Sequence, residues 1–292
     1  MSTIEDYIVV IRNPIAGWNS AKKVEKVLAL MAQKGLNFMV FDTLYAQHAE
    51  ELASLAVDTK AEILLVIGGD GTFSEVVNGV LKRCPRNMPT FAVFPSGTAN
   101  LIATELKIPK NPYDFVRLLL RKEHCKIWPA RINNRYFLSM VGIGFDAKVV
   151  SQVSWYQKKR FSKFSYVIQA IQQLTKEWKT TYEVEIESFH YSVASLIITN
   201  SRYYGGLILH PNIKITEPDI GIYLFKGSGR CDFLSYIVFF LFGRLHQNKK
   251  VDILQASNIK ISEIESVQVD GDTFNTQILN VNKGNIAINV LS

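Results

Sequence analysis

Gly68-Gly69-Asp70-Gly71-Thr72 follows the apolar run Ile63-Leu64-Leu65-Val66-Ile67 and precedes a helix-compatible run from Phe73 to Leu81. A buried strand, a glycine turn and a helix in that order make a phosphate cradle. Glycines admit close backbone approach, and a helix start presents N–H groups without intrahelical partners. An ordinary βα turn is the bland alternative. Asp70 weighs against it, because a carboxylate beside a phosphate is tolerated when a cation stands between them, so the combination indicates a nucleotide with Mg²⁺. Thr72 and Glu75 stand at capping-box spacing, which predicts a helix start at that point.

Two further loops, Arg12-Asn13-Pro14-Ile15-Ala16-Gly17 and Pro95-Ser96-Gly97-Thr98-Ala99-Asn100, follow the ends of other strand-like runs. Ligands of open α/β sheets bind outside the carboxyl ends of the strands, so all three loops are expected to converge on one crevice. Neither a Walker pattern nor a protein-kinase catalytic loop occurs. Gly142-Ile143-Gly144-Phe145-Asp146-Ala147 has dinucleotide-fingerprint spacing, but the basic and aromatic stretch Lys158 to Tyr166 follows where an acid would have to close the next strand. A Rossmann dehydrogenase is set aside. Asp270-Gly271, between Val267-Gln268-Val269 and Thr273-Phe274, predicts a type I′ hairpin turn.

The elements that must position these loops are legible as alternating β-rich and helical runs, the pattern of a parallel sheet with covering helices. Strands are expected at Tyr7 to Arg12, Phe38 to Asp42, Ile63 to Ile67 and Thr90 to Phe94. Helices are expected at Ala21 to Lys34, Ala46 to Val57, Thr72 to Arg83 and from Asn111-Pro112 to Arg121. Beyond Lys126 the chain is mainly β, with segments at Tyr136 to Val141, Tyr182 to Ile186, Leu196 to Thr199, Ile222 to Phe225 and Ile286 to Val290. Helical runs at Phe164 to Glu177 and Phe233 to Leu245 interrupt it.

Length and composition fit this division. The 292 residues are 48% hydrophobic and carry a net charge of +7, enough for two packed cores and a preference for anionic partners. Cys84, Cys125 and Cys231 lie far apart, without disulfide or zinc spacing, which fits a reducing cytosol. The five histidines show no ligand spacing and no paired nucleophile. Met1 to Asp6 lacks a signal pattern, and the apolar run Phe233 to Gly243 is too short for a bilayer that needs ~20 residues, so a soluble or peripheral protein is expected.

Taken in order, Asn13 to Gly17, Thr43 to Ala49, Gly68 to Gly79, Pro95 to Asn100 with Ile108-Pro109, Gly142 to Ala147 and Val269 to Asp272 resemble the diacylglycerol kinase catalytic-domain family of lipid kinases. The resemblance covers nearly the whole chain. It includes bacterial diacylglycerol and phosphatidylglycerol kinases and the related sphingosine and ceramide kinases. It implies an N-terminal α/β nucleotide-binding domain with a mainly parallel sheet, like that of NAD kinases and phosphofructokinases, over 1–126. It also implies a C-terminal β-sandwich lipid-substrate domain over 127–285, with the last strand, about 286–292, returning to the first domain.

The implied activity is ATP-dependent phosphorylation of a lipid hydroxyl, on diacylglycerol or a relative. Matched by position, Asp70 holds Mg²⁺, and Asn13, Gly17, Thr43, Gly68, Gly69, Gly71, Thr72, Ser96, Gly97 and Thr98 line the ATP site. Asp272 stands where the family has its general-base Glu, one methylene shorter, and Asp146 falls near the acceptor lipid. Many members have Asp where this chain has Leu101. A structural metal site built on paired acids is broken in Glu217-Pro218-Asp219-Ile220-Gly221, leaving Asp219 as the matching ligand.

The stretch Trp155 to Phe164 interleaves aromatics with Lys158, Lys159, Arg160 and Lys163, a composition suited to an anionic membrane surface. With no RNA-binding motif elsewhere, a peripheral cytoplasmic membrane protein is expected and nucleic acid is not. Two rivals are carried forward: a soluble kinase of NAD or a sugar phosphate, and a non-catalytic nucleotide or lipid sensor. Nothing in the sequence fixes an oligomeric state.

Overall fold

The computed structural model describes residues 7–16, 20–83, 85–145, 147, 181–204, 206–209, 211–264 and 267–292. The chain divides into two compact units, Met1–Ile127 with Ala287–Ser292, and Trp128–Ile286.

The first unit alternates strands and helices: β1 (Tyr7–Arg12), α1 (Ala21–Gln33), β2 (Asn37–Asp42), α2 (His48–Ala56), β3 (Ile63–Gly68), α3 (Asp70–Arg83), β4 (Thr90–Pro95), α4 (Leu101–Glu105), α5 (Pro112–Arg121) and β5 (His124–Ile127). Its sheet has the order β2-β1-β3-β4, then the C-terminal strand Ile288–Leu291, then β5. Neighbours are parallel except the last pair, where Ile288–Leu291 runs antiparallel to β5. Every residue of the central β3 is buried, which explains its unbroken apolar run. α1 turns Val24, Val27, Leu30 and Met31 inward and stops at Gly35, whose φ of 70° takes the left-handed conformation that ends a helix without steric cost. Asn111 caps α5 through Oδ1, accepting from the Tyr113 N–H at 2.9 Å, with Pro112 in the first turn.

The second unit is a sandwich of two antiparallel six-stranded sheets. In one, Phe189–Val193, Tyr182–Ile186, Asn258–Ser262, Ile278–Asn282, Ala130–Ile132 and Arg135–Phe137 lie in that order. In the other the order is Val251–Ala256, Ile220–Phe225, Ser195–Thr199, Met140–Ile143, Val267–Val269 and Asp272–Phe274. Alternate residues of both sheets, among them Ile132, Val184, Ile198, Ile222, Ile261 and Val281, form one core. The opposite face of the second sheet supplies Ile197, Tyr223 and Phe225, which pack under the helix Arg230–Leu241 through Phe233 and Tyr236.

Several expected boundaries shift. The expected strand Tyr136 to Val141 is two, Arg135–Phe137 and Met140–Ile143, on different sheets. The helix expected over Phe233 to Leu245 begins at Arg230 and ends at Leu241. The expected helix Phe164 to Glu177 lies outside the described residues.

Candidate functional site

In the first unit, the loops after β1, β2, β3 and β4 are tied together at the carboxyl ends of the strands. Arg12 and Asp42 end two paired strands and form a bidentate ion pair, Nε to Oδ1 and Nη2 to Oδ2, each at 2.6 Å. That pair fixes the chain just before Asn13 and Thr43, and the Thr43 N–H donates to the Arg12 carbonyl at 2.8 Å. Arg12 holds the Asp42 carboxyl below its ordinary range. Asn13 turns its own loop by accepting from the Ile15 and Ala16 N–H groups, and its Nδ2 donates to Thr72 Oγ1 at 3.2 Å. The first and third loops are thereby joined.

Asp70 and Glu75, both on α3, cap other helices. Asp70 Oδ2 accepts from the Leu101 N–H at 2.9 Å, and Oδ1 from the Ile102 N–H at 3.1 Å, satisfying the start of α4. Glu75 accepts from the Gln47 N–H at 3.1 Å and the Ala49 N–H at 3.2 Å, at the start of α2. The expected Thr72–Glu75 capping box is thus corrected. The helix begins at Asp70, and Glu75 stabilises a neighbouring helix rather than its own. His48 closes the loop before α2 by accepting the Leu44 N–H at 3.0 Å and stacking on Tyr45.

The glycines divide into two kinds. A Cβ on Gly97 would stand 2.5 Å from Gly69 Cα, so Gly97 lets the third and fourth loops touch, and one on Gly68 would stand 2.7 Å from Thr72 Cβ, so Gly68 lets the third loop close on its own helix start. A Cβ on Gly71 would meet nothing within 4 Å. Gly71 therefore borders open space at the N-terminal turn of α3. Ser96, 1% exposed, has an Oγ with no hydrogen-bond partner, although its N–H reaches the Gly68 carbonyl at 3.0 Å. Thr72 and Thr43 are buried, while Thr98 is exposed at the tip of its loop. An open glycine at a helix start, with a buried hydroxyl beside it, is a geometry compatible with phosphate binding.

In the second unit, the Asp270-Gly271 turn has φ of 51° and 90° at its two central residues, the type I′ geometry. Asp270 is committed to structure. Its carboxylate accepts from the N–H groups of Leu138 at 2.9 Å, Ser139 at 2.8 Å and Met140 at 3.1 Å. Gln268, 1% exposed, receives the Gly271 N–H on Oε1 at 2.9 Å and braces the turn from beneath. Asp272 opens the next strand opposite Val269 with its side chain exposed. Of the two turn carboxylates, Asp270 is taken up by backbone donors and Asp272 is exposed.

Asp219 is exposed just before the strand Ile220–Phe225, and its neighbour Glu217 pairs with Lys214 at 2.8 Å. Among the described residues, no three His, Cys, Asp or Glu side chains cluster as metal ligands. Gly17, Asp146, His210 and the stretch Trp155 to Phe164 lie outside the described residues. Sequence reasoning missed the Arg12–Asp42 clamp, the capping role of Glu75 and the three-way anchor at Asp270. The one available signal was an acid and a base at the last positions of the first two strands.

Comparison with known proteins agrees with this architecture. Residues 7–131 match the family model for the diacylglycerol kinase catalytic domain, and residues 139–286 match that for the YegS C-terminal NAD kinase beta sandwich-like domain. A crystal structure of a diacylglycerol kinase from Bacillus anthracis str. Sterne shares the fold, with a TM-score of 0.78 at 22% identity, covering 99% of this chain and 98% of that one. The chain is 24% identical over 270 residues to a diacylglycerol kinase of Bacillus subtilis (strain 168), covering 90% of this chain and 88% of that one. It is 25% identical, over 90% and 87%, to one of Staphylococcus carnosus (strain TM300). The chain belongs to the diacylglycerol kinase catalytic-domain family and is a lipid kinase. The non-catalytic sensor and the soluble NAD or sugar-phosphate kinase are thereby set aside.

Proposed function

We propose that this lipid kinase transfers the γ-phosphate of ATP to the hydroxyl of diacylglycerol or a closely related lipid, with Mg²⁺ as cofactor. The observation that carries the reading is the open space at Gly71, at the start of α3, among loops joined by Asn13–Thr72 and Gly69–Gly97. Asn13, Gly17, Thr43, Gly68, Gly69, Gly71, Thr72, Ser96, Gly97 and Thr98 are the residues assigned to ATP. Asp70, at the start of α3 and oriented by the Leu101 and Ile102 N–H groups, is assigned to Mg²⁺ by its position in the family motif. The bound ion would neutralise charge on the β- and γ-phosphates.

Asp272 accepts the proton of the lipid hydroxyl as its oxygen bonds to the γ-phosphorus. The bond from that phosphorus to the bridging oxygen breaks, and ADP leaves. Asp146 is assigned to the acceptor and Asp219 to a structural metal, both by position in the family motif. The names of the Bacillus and Staphylococcus relatives support diacylglycerol as substrate. A cytoplasmic enzyme docked on the membrane surface fits a lipid substrate and the basic-aromatic sequence Trp155 to Phe164. No described helix is long and apolar enough to cross a membrane.

The test is transfer of label from γ-labelled ATP to a panel of diacylglycerol, phosphatidylglycerol, ceramide, sphingosine and NAD, with Mg²⁺ and with chelator. Label on diacylglycerol or a related lipid, abolished by chelation, is the expected result. Label on NAD alone would contradict it.

A further inference from the structure

From Phe233 onward the helix Arg230–Leu241 is apolar on nearly every side, with Ser235 and the Tyr236 hydroxyl its polar groups, yet it lies on the outside of the sandwich. Helices of that composition are ordinarily covered on every side. One side is covered here. Phe233 and Tyr236 pack on Tyr223, Phe225 and Ile197, Phe233 stacks on Phe145, and Phe240 meets Tyr204 edge to face. The polar side chains are drawn to the flanks. Asp232 pairs with Lys250 and accepts the Gly229 N–H, Ser235 accepts from Asn248 Nδ2 at 2.9 Å, and the Tyr236 hydroxyl accepts the Gly227 N–H at 2.9 Å.

What remains outward is Leu234, Val238, Leu241 and Phe242, with 48, 42, 45 and 76% of their surface exposed. They stand at i, i+4, i+7 and i+8, one continuous stripe along the helix. Exposed Arg230, four residues before Leu234, heads the same stripe, and exposed Arg244 follows its end. The segment Lys226–Asp252 carries Lys226, Arg230, Arg244, Lys249 and Lys250 against Asp232 and Asp252 alone. An apolar stripe between cations is complementary to an anionic bilayer, whose acyl boundary takes the apolar side chains while its headgroups take the cations.

We infer that the stripe Leu234–Val238–Leu241–Phe242, with its flanking cations, is a docking surface that seats the second unit on an anionic membrane. The inference rests on the reading of the protein as a peripheral membrane enzyme and assigns the surface that reading needs. It adds a site on described residues, distinct in sequence from the basic-aromatic stretch Trp155 to Phe164.

The test is co-sedimentation of the full chain with vesicles of phosphatidylcholine alone and of phosphatidylcholine with roughly one-third phosphatidylglycerol. Three forms are compared: the wild type, the variant L234S/V238S/L241S/F242S, and the variant K158Q/K159Q/R160Q/K163Q. Because the four apolar residues face outward, the serine variant should keep the wild-type circular dichroism spectrum. It should also keep the wild-type rate on a short-chain diacylglycerol dispersed in detergent. The wild type is expected to sediment with the anionic vesicles, and the serine variant to bind them about tenfold or more weakly. A serine variant that sediments like the wild type would overturn the docking surface, while leaving membrane association standing if the lysine variant is the one that fails to bind. A wild type that sediments with neither vesicle would overturn the peripheral reading itself. A serine variant that binds vesicles normally but loses self-association in analytical ultracentrifugation would assign the stripe to a second copy of the chain instead.

Discussion

Leu101 donates its backbone N–H to Asp70 Oδ2 at 2.9 Å, across 31 positions of sequence. Many family members carry an aspartate where this chain has Leu101, so the neutral substitution leaves Asp70 as the acid that both caps α4 and stands at the glycine turn. A carboxylate already oriented by two N–H donors is held in one rotamer, which suits a group that must meet a cation in fixed geometry.

Asp70→Asn keeps one acceptor oxygen and loses the charge. Loss of half the cap should lower stability by about 1 kcal/mol, whereas turnover should fall by about 10²-fold or more, because the charge beside the phosphates is gone. Thermal unfolding and initial rates measure the two effects. Calorimetric titration of the variant with ATP should also show weakened dependence on Mg²⁺. Wild-type activity with an unchanged Mg²⁺ dependence of ATP binding would remove Asp70 from the metal site.

The two kinds of glycine make a paired prediction. Gly97→Ala drives a methyl into the Gly69 backbone and should lower the melting temperature by several degrees. Gly71→Ala places its methyl in open space within α3 and should leave stability unchanged or raise it by about 0.5–1 kcal/mol. ATP affinity should nevertheless fall in the Gly71 variant. Unchanged affinity there would mean that no ligand approaches this turn.

Asp270 and Asp272 should separate cleanly in denaturant. Asp270→Ala strands three backbone donors and should cost about 3 kcal/mol or more, with the urea midpoint shifting at constant slope. Asp272→Ala, on an exposed side chain, should shift stability by less than about 0.5 kcal/mol. Equal midpoints for the two variants would contradict the division of labour between them.

The Arg12–Asp42 clamp predicts a pH dependence. The guanidinium hydrogen bond lowers the Asp42 pKa in the folded state, so the carboxylate contributes stability fully above its unfolded value near pH 3.8. That contribution is lost as the pH falls through the lower folded value. Both side chains are about one-third exposed, so the effect is modest. Thermal melts of Asp42→Asn between neutral pH and acid should converge on the wild type only at the acid end. A constant difference across that range would show that the clamp acts through packing rather than charge.

The same contacts explain how much the sequence reveals. β1, β3 and β4 are legible because they are buried over most of their length and therefore read as apolar runs. The sandwich strand Asn258–Ser262 alternates cleanly, but only Ile259 and Ile261 turn inward, too short a pattern to stand out. α4 escapes a local reading because its cap comes from Asp70 rather than from a neighbour. Glu75 misleads for the same reason, standing three residues from Thr72 while serving α2. Local rules fail in this protein where a tertiary hydrogen bond takes over a local one. The loops of the candidate site were legible as motifs, but the clamps that hold them were not, since Arg12, Asp42 and Asp270 act across long stretches of chain.

The most direct test of the account is the initial rate of label transfer from γ-labelled ATP to diacylglycerol in Mg²⁺-containing mixed micelles, measured at saturating ATP for the wild type, Asp272→Asn and Asp272→Glu. Asn preserves size and polarity but cannot take the hydroxyl proton. If Asp272 is the base, its loss should reduce the rate by about 10²–10⁴-fold with ATP affinity intact, and Asp272→Glu should remain active. An Asn variant that phosphorylates diacylglycerol at the wild-type rate would contradict the account and reduce Asp272 to a turn residue.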